Sequence, residues 1–381
     1  VNGWERPNYY GQVGASEDFD IKSRSFRRGP WWQYAVEEAK AVRNGVGLID
    51  ATAFTKHILK GPGATNFLNW FTCNRLPKVG RINLTYALTN HGTTRTEYTI
   101  VRNAEDSYYL VSAGAWSSYD ADYLRKAAED KVEEFGYVEI HDVTSQWGVF
   151  ALAGPKSRDL LKEIINDADV ETVLSNKRFP WLSKKEIEIG MCPVNAIRVA
   201  YTGELGWELH HPIEMQNYLW DRLLLVGSNY GLKLVGARAQ NWLRQEKSYR
   251  AFGTELGRDA TPLEADLSRF IDQEKDFFGK ENMENKGIRT KCVTLIINGP
   301  DDADPWGREA LYLSDGTKVG RLTSGGYSVV FGKSIGMGYV RPDLAIQGQK
   351  LKVKMFNSLW DVEVTCDSPY DPKNETIRKD G

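Results

Sequence analysis

Residues that bind metals or form disulfides are scarce in this chain, which has 4 Cys and 5 His among its 381 residues. The cysteines lie far apart without a CxxC pair, so they match neither the dense framework of small secreted domains nor a cysteine-rich zinc site. The histidines show no HExxH spacing and no nearby cysteine. The sequence therefore predicts no bound metal, no disulfide and a reducing compartment, either the cytoplasm or, in a eukaryote, the mitochondrial matrix. The cysteines are Cys73, Cys192, Cys292 and Cys366.

Neither an excess of one charge nor a long apolar run is present. Lys and Arg number 49 against 51 Asp and Glu, a formal charge of -2, whereas a nucleic-acid-binding surface is normally strongly basic. No stretch approaches the roughly 18 apolar residues of a membrane-spanning helix. We therefore expect a soluble globular protein with neither a nucleic-acid nor a membrane partner. The start at Val1, without an initiator methionine or an apolar signal core, suggests a processed chain or a piece of a longer one.

The length predicts two or three domains, at roughly 150 residues each. Residues 33–43 have helical spacing and end near Gly45. A strand, a Gly-Pro turn and an amphipathic helix follow over residues 57–71, and the same order recurs over residues 147–165. These two units form a weak internal repeat.

Short strands dominate the last part of the chain, whereas strands and helices alternate before it. Strands are expected on both sides of a turn at residues 90–92 and at residues 107–112, and a helix at residues 120–134. We predict an N-terminal α/β region over residues 1–138, a second α/β region over 139–286 and a β-barrel-like domain over 287–381. The expected barrel strands are residues 291–297, 310–313, 318–322, 334–340 and 350–356.

Familiar catalytic and nucleotide-binding motifs are missing. No GxGxxG follows a strand, so no dinucleotide or flavin fingerprint is present, and no GxSxG marks a serine nucleophile. Gly332-Lys333-Ser334 resembles the end of a phosphate loop, but Tyr327 stands where the first glycine belongs. His210 and His211 end an expected strand, and we predict that they form a surface pair.

A hairpin carries the first candidate binding residues. Residues 195–201 alternate apolar and polar, residues 202–206 are punctuated by glycine, and a strand resumes at residues 207–210. Tyr201 and Glu208 are then expected near each other. A carboxylate beside an aromatic ring suits a flat heterocycle with two N–H donors. The alternative is an exposed hairpin glutamate above a core tyrosine, and the spacing leaves both open.

The segment 241–253 ends a helix in a basic and aromatic cluster. Its aromatic stripe predicts core packing. Arg244, Glu246 and Arg250 allow two interpretations: a solvated face with an i,i+4 pair, or the positioning of an anionic ligand.

Several segments together resemble one family, the folate-binding aminomethyltransferases typified by the glycine-cleavage T-protein. Within it, the chain is most similar to the folate domain fused to dimethylglycine and sarcosine dehydrogenases, as residues 246–253 and Phe54-Thr55-Lys56 indicate. The matching segments are residues 41–50, 60–64, 201–208, 243–246, 261–265 and 323–328, followed by 338–340.

The resemblance implies an α+β fold, a three-domain ring around a central folate channel with a C-terminal β domain. It implies tetrahydrofolate as cofactor, with Tyr201 and Glu208 holding the pterin and Phe252 lining the ring. The anionic folate tail gives Arg244 and Arg250 a reason to be cationic.

Glu97 is the catalytic candidate that the resemblance supplies, and it departs from the family pattern. Family members usually have two glycines and then an aspartate beside the reactive folate nitrogens, whereas Thr93 and Thr94 replace the glycines here and Glu97 the aspartate. The longer side chain and the altered backbone leave three alternatives. Glu97 positions folate through a shifted loop, serves a different methyl donor, or is inert.

The resemblance implies a tetrahydrofolate-dependent aminomethyltransferase or demethylase. It would transfer a one-carbon group from a small N-methylated amine, such as dimethylglycine or sarcosine, to tetrahydrofolate. The alternatives are a non-catalytic folate-binding module of a flavin amine oxidase and a stand-alone S- or O-demethylase. Any FAD must reside on a separate segment or flavoprotein partner, because this chain has no flavin fingerprint.

Overall fold

The helix expected at residues 33–43 forms α1, and the residues next to its two ends explain where it begins and ends. In the computed structural model, which describes residues 3–14 and 25–379, α1 begins directly after Pro30 and ends before Gly45. Proline suits a helix start because it lacks the N–H group that would be unpaired there. The Gly45 N–H group still donates to the Ala41 carbonyl at 2.8 Å. Val1, on which the expectation of a processed start rests, lies outside the described residues.

The described helices and strands alternate up to residue 246, and strands predominate after residue 290. The helices are α1 (Trp31–Asn44), α2 (Ala64–Phe71), α3 (Ser117–Asp130), α4 (Val132–Phe135), α5 (Ser157–Ile164), α6 (Val170–Val173), α7 (Gln216–Gly227), α8 (Ala237–Glu246) and α9 (Lys280–Lys286). The first eleven strands are β1 (Gly47–Asp50), β2 (Thr55–Lys60), β3 (Ile82–Leu88), β4 (Thr94–Ala104), β5 (Ser107–Ser112), β6 (Glu139–Asp142), β7 (Trp147–Ala153), β8 (Lys184–Ile189), β9 (Cys192–Ile197), β10 (Gly206–Pro212) and β11 (Lys233–Leu234). The remaining strands are β12 (Lys291–Asn298), β13 (Ala310–Tyr312), β14 (Lys318–Ser328), β15 (Lys333–Val340), β16 (Lys350–Met355) and β17 (Ser358–Val364).

Two open sheets organise the first part of the chain. One has the order β3-β4-β5-β2-β6 and the other the order β11-β1-β7-β10-β9-β8. The two repeat units lie in different sheets, β2 with α2 in the first and β7 with α5 in the second. Their turn glycines have similar positive φ angles, +120° at Gly61 and +135° at Gly154. Glycine adopts this backbone without steric cost, so the shared Gly-Pro turn has a conformational reason.

The chain crosses between the two open sheets. Strand β1 belongs to the six-stranded sheet although the whole five-stranded sheet follows it in sequence, and β6, which begins at Glu139, completes the five-stranded sheet. The domain limits at residues 138 and 286 stay a prediction. None of the helices in the described part of the chain has the length and apolar character needed to cross a membrane.

A closed barrel forms the C-terminal part, with the strand order β12-β15-β14-β13-β16-β17. The expected α+β class with a C-terminal β-barrel is confirmed. Two details differ from expectation: β14 continues to Ser328, and β17 was not predicted. The extension of β14 packs against α8. A Cβ atom added at Gly326 of β14 would lie 2.2 Å from the ring of Trp242 on α8. The glycine therefore permits the close approach between barrel and helix.

Candidate functional site

A cavity of about 950 Å³ lies where the start of β4, the segment 252–260 and the barrel meet. Trp116, Tyr119 and Phe252 supply its aromatic lining. The Trp116 and Phe252 rings meet edge to face at 5.7 Å, and the Trp116 and Tyr119 rings lie 5.8 Å apart. Such a volume is within the range of small-molecule sites.

The cavity wall is rich in positive charge. The Arg95 guanidinium lies 3.0 Å from the centre of the Tyr119 ring and 3.2 Å from the Asp120 carboxylate. The Arg258 guanidinium also lies over the Tyr119 ring, 5.0 Å from its centre. The cationic lining residues are Arg95, Arg258, Arg289, Lys318 and Arg321. Two acidic residues, Glu255 and Asp259, also line the cavity. The charge that remains is positive and favours an anionic ligand at this wall.

Glu97 lies two residues after Arg95 on β4, so both side chains are on the same face of the strand. It faces Tyr86 of β3 as a cross-strand neighbour, and the Tyr86 hydroxyl donates to the Glu97 carboxylate. Burial raises the pKa of Glu97 to about 7, while the Tyr86 hydrogen bond and the charge of Arg244 oppose the rise. Glu97 is nevertheless only partly buried. A carboxyl with this pKa can hold or release a proton near neutral pH.

Tyr201, which follows β9 in the hairpin, lies close enough to Glu97 for the two groups to interact electrostatically. Burial raises the pKa of Tyr201, Arg244 opposes this, and the negative charge of Glu97 adds to it. The Tyr201 hydroxyl donates to the Arg250 carbonyl at 3.2 Å, and its ring stacks on Tyr249 at 6.1 Å. The structure thus brings Tyr201 into the electrostatic range of Glu97, although β4 and the hairpin are about 100 residues apart in sequence.

Glu208 projects from β10, whose neighbours are β7 and β9. It lines a second cavity together with Tyr201, Phe54 and Gln240, and this cavity measures about 20 Å³, room for about one water. Its side chain is only 13% exposed. The alternative of an exposed hairpin glutamate is therefore excluded, and Tyr201 and Glu208 border the same space as expected.

The prediction that His210 and His211 form a surface pair is wrong. Strand β10 is central in its sheet, and both side chains are 0% exposed. His210 contacts Glu208 at 3.2 Å and the Tyr109 hydroxyl at 3.0 Å. His211 contacts the Leu209 carbonyl instead. The position of β10 depends on pairing with β7, a non-local event that the local pattern does not show.

Arg244 and Arg250 lie deep in the protein with protein partners. Arg244 donates to the Glu255 carboxylate at 2.6 Å and to the Ser324 hydroxyl at 2.6 Å. Arg250 donates to the Ser248 carbonyl at 2.5 Å and to the Asp367 carboxylate at 2.8 Å. The Arg244 bonds join α8 to the barrel, and the Arg250 bonds join the segment after α8 to the C-terminal segment. Neither guanidinium therefore lies on a solvated helix face. Their predicted role toward a ligand tail stays a prediction.

Sequence reasoning missed the residues that give the larger cavity its character. Trp116, Tyr119 and Arg258 carry no motif, since their meeting depends on tertiary packing. Arg95 could have been found from the sequence, because it lies two residues before Glu97 on the same strand and must therefore share its face. Phe252, which sequence reasoning did select, lines this cavity.

The fold matches that of a known class of enzyme. A solved structure, the glycine cleavage system aminomethyltransferase T from Bartonella henselae, superposes with a TM-score of 0.78 at 22% identity, covering 93% of this chain and 92% of that chain. This similarity concerns the fold alone. The architecture of two open sheets and a barrel is therefore that of a T-protein.

Sequence comparisons extend the match to the family. The chain matches the GCVT N-terminal domain over residues 1–275 and the glycine cleavage T-protein C-terminal barrel domain over residues 291–371. Mitochondrial dimethylglycine dehydrogenase of Rattus norvegicus is 34% identical over 387 aligned residues, covering 100% of this chain and 44% of that protein. A probable aminomethyltransferase of Thermococcus kodakarensis is 30% identical over 374 residues, covering 90% of this chain and 91% of that protein.

The chain belongs to the folate-dependent aminomethyltransferase family of the glycine cleavage T-protein. The expected resemblance is confirmed, and with it the class of transferase enzyme. The chain spans about half the length of the dimethylglycine dehydrogenases that it matches.

Proposed function

We propose that this chain transfers a one-carbon group from an N-methylated amine, of the dimethylglycine or sarcosine kind, to tetrahydrofolate. The observation that supports it most is the placement of Glu97 on β4, where it faces Tyr86 of β3 and shares a strand face with Arg95, which lines the larger cavity. The similarity to a dimethylglycine dehydrogenase over 100% of the chain supports the choice of donor.

The residues present fit tetrahydrofolate chemically. One oxygen of Glu208 contacts His210, and the other accepts no hydrogen bond within the described ranges, so it can accept one from an N–H group of the heterocycle. Tyr201 borders the same space. That space measures about 20 Å³, far less than a bicyclic heterocycle, so side chains around Glu208 must move when the ligand binds.

We propose that the larger cavity receives the rest of the ligand. Phe252 and Trp116 offer aromatic surfaces for a benzoyl ring. Arg258, Lys318 and Arg321 offer positive charge to the carboxylates of the tail. Arg244 and Arg250 contribute through their charge, because their N–H groups already bond protein oxygens.

Tetrahydrofolate, when bound, supplies the amine nitrogens that accept the one-carbon unit, and acceptance releases a proton. Glu97 can hold that proton, because its pKa of about 7 leaves much of it ionised at neutral pH. The Tyr86 hydroxyl keeps the carboxylate oriented through its hydrogen bond. Glu97 thereby takes the role of the aspartate usual in the family.

Oxidation of the methyl group needs a flavin, for which this chain has no fingerprint. We propose that a flavoprotein domain or subunit supplies the oxidised methyl group, in keeping with the 44% of the dimethylglycine dehydrogenase that the chain covers. The cytoplasm or the mitochondrial matrix stays the predicted compartment.

Donors labelled with ¹³C in the methyl group test the proposal, with a flavin amine oxidase present to oxidise them. The label should appear by mass spectrometry in methylenetetrahydrofolate even when dimedone traps free formaldehyde. Label found only in the dimedone adduct would indicate the non-catalytic folate-binding module instead. Label from an S- or O-methyl donor alone, without the oxidase, would indicate the stand-alone demethylase.

A further inference from the structure

A buried histidine, His210, contacts Glu208, the residue proposed to bind the pterin. His210 is 0% exposed, and its Nε2 atom lies 3.2 Å from Oε2 of Glu208. Its Nδ1 atom lies 3.0 Å from the Tyr109 hydroxyl, and the two rings meet edge to face at 5.5 Å. Tyr109 belongs to β5 of the five-stranded sheet and Glu208 to β10 of the six-stranded sheet. His210 therefore connects the two sheets at the candidate site.

The chemistry of the two partners determines which ring nitrogen carries the proton. Burial lowers the pKa of His210; Glu208 opposes this, and the positive charges of Lys56 and Lys184 add to it. The imidazole is then neutral with a single N–H group. A carboxylate can only accept, so Nε2 donates to Glu208 and Nδ1 accepts from the Tyr109 hydroxyl. Hydrogen bonds thus run in one direction, from Tyr109 through His210 to Glu208.

This arrangement gives the two carboxylate oxygens of Glu208 different surroundings. The bond from His210 holds Oε2, while Oε1 has no donor among the described residues, and the Glu208 side chain borders the small cavity. A carboxylate held by one oxygen loses less rotational freedom when a ligand engages the other. We propose that His210, itself held by Tyr109, is a positioning residue that presents Oε1 of Glu208 to the folate heterocycle. This inference rests on the proposed function.

Substitutions of His210 should separate positioning from packing. His210→Leu removes the donor and should weaken tetrahydrofolate binding about tenfold, the effect of one lost hydrogen bond to a charged group. His210→Gln should retain most of the affinity, because its amide N–H group can reach the position of Nε2. His211→Leu is the matched control, since His211 is equally buried on the same strand and contacts Leu209 and Gln216 rather than Glu208.

A double-mutant cycle provides the readout that a merely structural role would not move. In a Glu208→Gln background, His210→Leu should have little further effect on tetrahydrofolate affinity, whereas the effect of His211→Leu, whatever its size, should be unchanged. Calorimetry with the full chain measures the affinities, and circular dichroism verifies folding. Equal affinity of the parent and His210→Leu, or an undiminished effect in the Glu208→Gln background, would overturn the positioning role.

Nuclear magnetic resonance of ¹⁵N-labelled histidine distinguishes failure of this inference from failure of the proposed function, because it needs no ligand. His210 should show a protonated Nε2 and an unprotonated Nδ1, and Tyr109→Phe should shift the Nδ1 resonance. A proton on Nδ1, or no response to Tyr109→Phe, would overturn the inference. If this tautomer is present and the parent chain binds no tetrahydrofolate, then the proposed function fails and the presentation of Glu208 to folate fails with it.

Discussion

The Glu97→Gln substitution distinguishes a catalyst from a carrier, because it preserves the size of the side chain and removes its ability to hold a proton near neutral pH. Burial raises the pKa of Glu97 to about 7, so the carboxylate can act as a base under physiological conditions. Loss of a general base typically slows a reaction by about 10² to 10⁴-fold. We expect that loss in the rate of one-carbon transfer, with the affinity for tetrahydrofolate nearly unchanged, as for an interaction made mainly in the transition state.

The same substitution should stabilise the folded chain, although it slows one-carbon transfer. The pKa of Glu97 is about 7 in the folded chain against an ordinary 4.5, so folding favours the protonated carboxyl. That contribution is fully present below pH 4.5 and is lost as the pH rises through 7. At about 1.36 kcal/mol per pKa unit, the loss reaches about 3 kcal/mol. The stability advantage of the neutral glutamine over the parent should therefore grow by about 2 to 3 kcal/mol as the pH rises from about 5 to about 8.

The assays are single-turnover transfer of ¹³C to tetrahydrofolate and urea unfolding, both across this pH range. The parent rate should rise as the pH passes about 7, and the variant rate should be flat. Glu38→Gln is the control, because burial also raises the pKa of Glu38 to about 7 but its carboxylate accepts from the Tyr10 and Gly236 N–H groups. A Glu97→Gln rate equal to that of the parent, or one with the parent's pH profile, would refute the catalytic assignment.

Four further substitutions test the proposed binding residues and one buried ion-pair cluster. Glu208→Ala should weaken tetrahydrofolate binding by about 1.5 to 3 kcal/mol in calorimetry, the range for a hydrogen bond to a charged group; Tyr201→Phe should cost less, and an equal cost would assign the binding to its hydroxyl. Arg258→Ala should weaken binding of tetrahydrofolate by about 0.5 to 1 kcal/mol at low salt but leave a pterin without the anionic tail unaffected, and equal losses for both ligands would contradict a tail-binding wall. Arg43→Ala should lower the free energy of unfolding by about 3 to 5 kcal/mol, because it leaves the buried carboxylates of Glu204 and Glu246 without the guanidinium that pairs with them at 2.7 and 2.6 Å. A loss below about 1 kcal/mol in urea unfolding would show that these two ion pairs do not stabilise the fold.

Elements with strong local patterns could be predicted from the sequence. The strand, Gly-Pro turn and helix units appear where their periodicity indicated, because a glycine at positive φ and an apolar helix face are local properties. Strand β17 was missed because the hairpin before it has no recognisable turn sequence. Phe356 and Asn357 adopt φ angles of 49° and 62° there, positions usually marked by Asn-Gly or Asp-Gly.

The candidate site was predictable only in part. Glu97, Tyr201 and Glu208 carry chemistry that the resemblance identifies. The surroundings that give them their properties are non-local: Arg244 is paired with Glu255 and bonded to the barrel, and His210 is buried because β10 is central in its sheet. No spacing rule reports such contacts, since they depend on which strands and loops meet after folding.

A crystal structure of the chain with tetrahydrofolate, or with its stable 5-formyl derivative, would show whether Glu208 and Glu97 act on the same ligand. We expect the heterocycle against Oε1 of Glu208 with the small cavity widened, and the tail along Arg258 and Arg321. The Glu97 carboxylate should lie within about 3.2 Å of a heterocycle nitrogen or one water away from it. A ligand bound elsewhere, or a heterocycle at Glu208 with Glu97 out of reach of its nitrogens, would refute the proposed function.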